Sequence, residues 1–189
     1  MVDPDRSPVD PAVHEKVMAE AERIRALGEA SERFARDPVN QPTINNWLDA
    51  MGVDNPRFRE GEAPPSMAQV WTMPGLVGRP PATDPLHGMM TVLTDLGFTA
   101  VLGTNCEQHY ERYLRVGEQL RVTSALESVA GPKTTGMGVG YFVTSRNTWY
   151  VEHDDGSSEQ VATMLFRVLK FIPKAASASE RGETGGSGR

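Results

Sequence analysis

Residues 84–98 read DPLHGMMTVLTDLGF, and they mark the point at which the periodicity of the chain changes. Leu86, Met89, Met90, Leu93, Leu96 and Phe98 form a broad apolar stripe at helical spacing, which predicts a buried helix over residues 84–97 with Gly97 as its cap. At about 1.5 Å per residue that helix is about 20 Å long, enough to cross the face of a sheet of ordinary width.

From residue 100 onward the apolar period becomes two. Strands are expected at about residues 100–110, 119–129, 138–153 and 159–172, as consecutive antiparallel neighbours. The links expected between them are Arg115-Val116-Gly117-Glu118, Gly131-Pro132-Lys133 and Asp154-Asp155-Gly156-Ser157. In the last strand Val161, Thr163, Leu165 and Leu169 alternate with Ala162, Met164, Phe166 and Val168, so both faces are apolar and the strand is expected to be central. A helix on one face of such a sheet leaves the other face and the edge in need of cover. A second copy or a homologous subunit would supply it.

Upstream, Val13, Val17, Ala21, Ile24, Leu27 and Phe34 recur at helical spacing over residues 11–35, predicting an amphipathic helix that packs on the domain or on a partner. A second helix is expected from Thr43, as N-cap, to Met51, with Gly52 as its stop. Residues 53–65 are rich in Pro, Gly, Asn and Asp and read as loop, residues 66–71 as a short strand, and residues 74–85 again as loop. The tail over residues 174–189 is Ala, Ser, Gly and charge, a composition expected to be a disordered end or a linker.

The 189 residues suffice for one domain with a real core, and the formal net charge of -6 without a Lys/Arg block argues against nucleic acid. Cys106 is the only cysteine, which excludes an internal disulfide and a thiolate zinc cluster; it is expected to be a small buried hydrophobe. The polar start of the chain and the lack of a long apolar run predict a cytoplasmic protein with no membrane contact.

Glu107, His109 and Glu111 share one strand face, which raises a metal or acid–base cluster, although solvent-facing alternation gives the same pattern. No metal and no cofactor is expected. His14 and His153 read as surface residues. Met67, Met73, Met89 and Met90, with Trp47, Trp71 and Leu93, either line a wide apolar pocket or belong to the core. Arg57, Arg59, Arg79, Lys133 and Arg146 are candidates for contacts to a phosphate, with solvated surface as the simpler reading.

The order helix, loop, short strand, buried helix and four long strands resembles the hot-dog fold, an α+β arrangement in which a curved antiparallel sheet wraps a long central helix. Leu86-His87-Gly88-Met89, Tyr113-Leu114-Arg115-Val116-Gly117-Glu118 and Asn55-Pro56 are similar to segments of the MaoC-like hydratases and dehydratases. The resemblance implies a leader and N-terminal helix over residues 1–36, a single hot-dog domain over residues 37–173 and the tail beyond.

Hydration of a 2-enoyl thioester needs a group to take a proton from water, a group to protonate the α-carbon, and an N–H donor for the charge developing on the thioester oxygen. In the MaoC-like family the proton-moving pair is an Asp and a His in a Gly-Asp-x-Asn-Pro-x-His loop. The matching stretch here is Gly52-Val53-Asp54-Asn55-Pro56-Arg57-Phe58, with Val53 and Phe58 where the Asp and His belong and Asp54 offset by one residue. Neither Val53 nor Phe58 can move a proton, so no catalytic residue is expected in this chain.

The resemblance therefore implies the larger, non-catalytic subunit of a heteromeric steroid side-chain enoyl-CoA hydratase. A catalytic MaoC-like partner supplies the chemistry, and this chain widens the cavity for a bulky acyl-CoA. The residues expected against the substrate are Gly88, Met89, Met90, Leu93, Trp47 and Met73; for Gly88, close packing of helix on sheet is an equal alternative. The competing function is a non-enzymatic acyl-CoA-binding or scaffold hot dog.

Overall fold

The computed structural model describes residues 9–75, 78 and 83–174. The expectations for residues 1–8, for Arg79 and for the tail from residue 175 lie outside them.

Helix α1 (Pro11–Arg25) starts at Asp10, whose carboxylate accepts from the Ala12 amide at 2.8 Å, with proline in the first turn. It buries Val17, Ala21 and Ile24 against the domain itself. The expected continuation to residue 35 does not occur. Gly28 takes φ 63, and Ala30–Phe34 form strand β1, antiparallel to β5 (Gln119–Thr134). The pairing that makes β1 a strand comes from residues far along the chain, so local periodicity could not show it.

Helix α2 (Gln41–Met51) begins earlier than expected, because Asn40 rather than Thr43 is the cap and accepts from the Thr43 amide at 3.0 Å. Gly52, at φ 65, ends it. There follow α3 (Pro56–Arg59), strand β2 (Glu62–Ala63), a 3-10 turn at Pro65–Met67 and α4 (Ala68–Thr72). The strand expected at residues 66–71 is thus helical: Met67 and Trp71, four apart, go into the same core cluster.

Helix α5 (Pro85–Asp95) is capped by Asp84, which accepts from the His87 amide at 2.8 Å. Its expected burial is one-sided: Pro85, Met89 and Leu93 are buried, while His87, Thr91, Thr94 and Asp95 are exposed. The remaining strands are β3 (Ala100–Tyr110), β4 (Leu114–Arg115), β6 (Gly138–Glu152) and β7 (Ser158–Pro173).

The main sheet has the order β1-β5-β6-β7-β3, and β2 pairs with β4 apart from it. Strand β7 is internal, as its two apolar faces predict. Strand β3 is not a neighbour of β5, contrary to the expected consecutive order; it pairs with β7 and forms an edge. Cys106 is consequently exposed rather than buried. The turn expected at Gly131-Pro132-Lys133 lies inside β5, where the register shifts between Ala130 and Lys133. The reversal comes later, where the Thr135 amide donates to the Gly138 carbonyl at 2.8 Å.

Two apolar clusters sit on the helix-bearing face. The first joins Ile44, Leu48, Phe58, Met67, Trp71, Leu120, Val122, Trp149 and Val151. The second joins Val17, Ile24, Met89, Leu93, Phe98, Tyr141 and Val143. His14 is not free surface: its Nδ1 lies 3.1 Å from the Tyr141 hydroxyl and the rings stack, which ties α1 to β6.

Candidate functional site

In the loop where proton-moving groups were sought, the Val53 amide donates to the Leu48 carbonyl at 2.9 Å and its side chain is half-buried against the first cluster. The Asn55 side chain accepts from the Arg57 amide at 3.1 Å and starts α3. Phe58 is 9% exposed and meets Tyr113 edge-on, with ring centroids 5.9 Å apart. Asp54 faces solvent, its side chain 91% exposed and 3.6 Å from Arg59. Val53 and Phe58 therefore serve as packing groups, and the offset Asp54 is turned outward.

The residues expected against a substrate do not converge within this chain. Trp47 packs on the first cluster, Met90 is half-buried on the second, and Met89 and Leu93 have no exposed surface at all. Met73 is exposed by 59%. A Cβ at Gly88 would meet only Ile24 Cδ1, at 3.7 Å, so close packing does not require glycine there. The Gly88 amide is also already engaged, donating to the Asp84 carbonyl at 2.9 Å.

The cationic candidates are largely neutralised. Arg57 pairs with Glu62 and lies 4.2 Å from the centroid of the Tyr113 ring; Arg59 reaches Asp49 at 3.3 Å and Arg146 reaches Glu127 at 2.6 Å. Lys133 is placed over Phe142 at 6.0 Å. A cleft of about 470 Å³ contains Arg57 and Arg115 but also Glu60 and Glu62, so its charge is mixed. His109 pairs with Glu111 at 3.3 Å in an exposed position, and no group of three or more potential metal ligands exists among the described residues.

The register places Ser124 opposite Asn147, Asn147 opposite Met164 and Met164 opposite Gln108, so these four form a single row across β5, β6, β7 and β3. On one side the adjacent row is Val122, Trp149, Ala162 and Tyr110; on the other it is Leu126, Ser145, Phe166 and Cys106. The polar row thus divides the first cluster from the second. It opens progressively, from buried Ser124 through half-buried Asn147 and Met164 to exposed Gln108 at the edge. Its signal in the sequence was faint: Ser124, Ser145 and Asn147 occupy positions where the period-two pattern calls for apolar residues.

Near the β4 turn, Arg112 holds Glu159 at 2.7 Å and Glu118 at 2.9 Å. The hydrogen bond from Arg112, against a smaller penalty of burial, keeps the Glu159 carboxyl below the usual range. Tyr110, the last residue of β3, has its phenol pushed up, first by burial and then by Cys106. No helix among the described residues is long and apolar enough to cross a membrane.

A family model described as the FAS1-like dehydratase domain region matches residues 25–163. This chain belongs to that family. The alpha subunit of the 3-oxo-4,17-pregnadiene-20-carboxyl-CoA hydratase of Mycobacterium tuberculosis is 43% identical, over 83% of this chain and 52% of its own length. A probable enoyl-CoA hydratase alpha subunit of Thermomonospora curvata is 34% identical over the same shares. The chain spans about half the length of both curated relatives.

Among solved structures, a chain of the ChsH1-ChsH2 complex from Mycobacterium tuberculosis superposes with a TM-score of 0.78 at 42% identity, covering 86% of this chain and 95% of that one. The MaoC-like hot-dog fold expected from the sequence, with its additional N-terminal helix, is the fold of this FAS1-like dehydratase domain.

Proposed function

We propose that this chain is the subunit of a heteromeric 2-enoyl-CoA hydratase that lacks the proton-moving pair. A homologous subunit brings the Asp and His, while this chain shapes the cavity for a bulky acyl thioester of the steroid class. The observation that carries the reading is the loop at residues 52–58. It keeps the Asn55 turn of the hydratases, yet fills the two chemical positions with Val53 and with Phe58, which is locked into the core. The identity to hydratase alpha subunits supports the reaction class, and the relative's substrate, a pregnadiene carboxyl-CoA thioester, supports the acyl class.

The edge at β3 supports the partner. Every residue from Val101 to His109 is exposed, including Val101 at 55% and Leu102 at 45%. An exposed edge strand of this length, apolar at Val101 and Leu102, is a template for continued pairing. A partner's strand laid beside β3 would extend the sheet and close the open end of the polar row.

The test compares enoyl-CoA hydration by this chain, by a hot-dog subunit with an intact Gly-Asp-x-Asn-Pro-x-His loop, and by their mixture, with bulky and short substrates. Hydration of the bulky thioester by the mixture alone is the expected result. Full activity of this chain by itself would refute the division of labour. Thioester binding without turnover in every mixture would favour the scaffold reading.

A further inference from the structure

The main sheet also has a pocket on the face turned away from the two apolar clusters. Side chains alternate along β6, so Arg146 and Thr148 point opposite to Ser145, Asn147 and Trp149, and the register sets Leu165 and Thr163 of β7 beside them. With Glu29 and Gln160 they line a cavity of about 290 Å³. Glu29 comes from outside the sheet: the chain turns at left-handed Gly28, and the next side chain lays its carboxylate across β5 and β6. Its Oε2 accepts from the Thr123 hydroxyl at 2.8 Å and from the Tyr150 hydroxyl at 2.9 Å. Its Oε1 has, among the described residues, a single long contact of 3.5 Å to the Thr148 hydroxyl. One oxygen is pinned, and the other keeps lone pairs free for a donor in the pocket.

The charges around this carboxylate are unevenly matched. Arg146 is bound to Glu127 at 2.6 Å. Arg121 lies 4.5 Å from the centroid of the Tyr150 ring, but its guanidinium is divided between Glu32 at 3.0 Å and Glu152 at 2.7 Å. No cation among the described residues lies within ion-pair distance of Glu29. The Tyr150 phenol is pushed up, first by burial and then by its bond to Glu29, as an anion beside it requires. A glutamate that only meets water keeps its side-chain freedom. This one is ordered in advance of any counter-charge, and such ordering lowers the cost of binding one.

We propose that the pocket binds a primary ammonium group on a short alkyl stem. The ammonium donates to Glu29 Oε1, and its remaining N–H groups find acceptors in the Thr163 hydroxyl and the Gln160 side-chain carbonyl, with the stem against Leu165. A quaternary ammonium has no N–H to give and an alcohol has no charge, so both are poor substitutes. Val53 and Phe58 pack on the opposite face of the sheet, and the site stands whether or not the reaction proposed above is correct.

The isotope-labelled full chain is titrated with n-butylammonium, with n-butanol and tetramethylammonium as controls, and its backbone amide shifts are followed by NMR. n-Butylammonium is expected to move the amides of Glu29, Thr148 and Thr163 saturably, to bind at least about tenfold more tightly than either control, and to weaken as salt is added. Glu29→Gln keeps an acceptor for the hydroxyls but removes the charge, and is expected to weaken binding at least about tenfold. Thr163→Val, at a half-buried position, is expected to weaken it about threefold and tests the site independently of whether the first variant folds. Nα-acetyl-lysinamide separates the sources of the ammonium: tighter binding than n-butylammonium assigns it to a protein lysine, weaker binding to a free amine. Equal binding of n-butanol, absence of a saturable shift at these residues, or an affinity unchanged by both substitutions overturns the proposal.

Discussion

The two edges of the main sheet are built differently. On the β1 side the strand is five residues long, its pairing is broken by an irregularity between Ala30 and Arg33, and Ser31 sits at φ 58. Its charged side chains are occupied: Arg33 donates to the Thr72 carbonyl at 2.6 Å, Glu32 pairs with Arg121 at 3.0 Å, and neighbouring Glu29 accepts from the Thr123 and Tyr150 hydroxyls. The β3 side, whose pairing with β7 also shifts register between Gly103 and Asn105, is eleven residues long, and apart from its two end residues it is exposed throughout. Short edges whose charged side chains are already occupied resist further pairing, while long exposed ones invite it. One side is finished by contacts within the chain, and the other is left open.

The largest expected effect tests how far the loop at residues 52–58 has traded chemistry for packing. Phe58→Ala empties a core site beside Tyr113 and is expected to cost about 3 kcal/mol in urea unfolding, within the usual range for a buried aromatic. A loss below about 1 kcal/mol would mean that the position is not structural, and would reopen it as a functional one.

The open side is tested by charge. Val101→Lys with Leu102→Lys leaves the chain's own fold intact, because both residues are exposed, but is expected to weaken assembly with the partner at least about thirtyfold in sedimentation or gel filtration. The matching change on the closed edge, Glu32→Lys, is expected to leave assembly unaltered. An assembly that ignores β3 and fails on Glu32→Lys would reverse the assignment of the two edges.

A smaller effect lies where α5 begins. Asp84 caps the helix at the His87 amide and accepts from the Ser31 hydroxyl at 3.3 Å, so it links α5 to the finished edge. Asp84→Ala is expected to lower stability by about 1 kcal/mol, read in a thermal melt.

The smallest effect concerns acid. Glu159 is held below the usual range by Arg112; burial pushes Glu152 upward, but hydrogen bonds from Arg121 and Ser158 outweigh it and leave that carboxyl lowered as well. A carboxyl lowered in the folded state adds stability that is present above the unfolded value of about 4.3 and is lost as pH falls through the folded one. Stability is therefore expected to decline below about pH 4.3, and Arg112→Ala to flatten part of that decline. Since Glu159 is 43% exposed and Glu152 is 25% exposed, each pair contributes no more than about 1 kcal/mol.

Much of this was legible in the sequence. The switch of period after Gly97 marked the helix and the long strands, and the internal place of β7 followed from its two apolar faces. The loop at Val53 and Phe58 could be read because the turn residues around it were kept. The strand at residues 30–34, the helical turns at residues 65–72 and the exposure of Cys106 were not legible, since each depends on which distant strand lies alongside. Gly88, Met89, Met90, Leu93, Trp47 and Met73 share the chemistry of a pocket lining, but the fold divides them between two clusters and solvent.

The sequence by itself determined the helix after residue 84, the four long strands and the absence of proton-moving side chains at residues 53 and 58, because periodicity and residue type act locally, while its motifs carried the resemblance to the hot-dog fold. Only the tertiary structure decided which strands form the edges and which polar side chains share a face. Strand order put β3 at the rim, and register brought Ser124, Asn147, Met164 and Gln108 into one row with Ser145 in the next. Register is a relation between distant segments, and a shift of one residue would have turned each of those side chains to the opposite face.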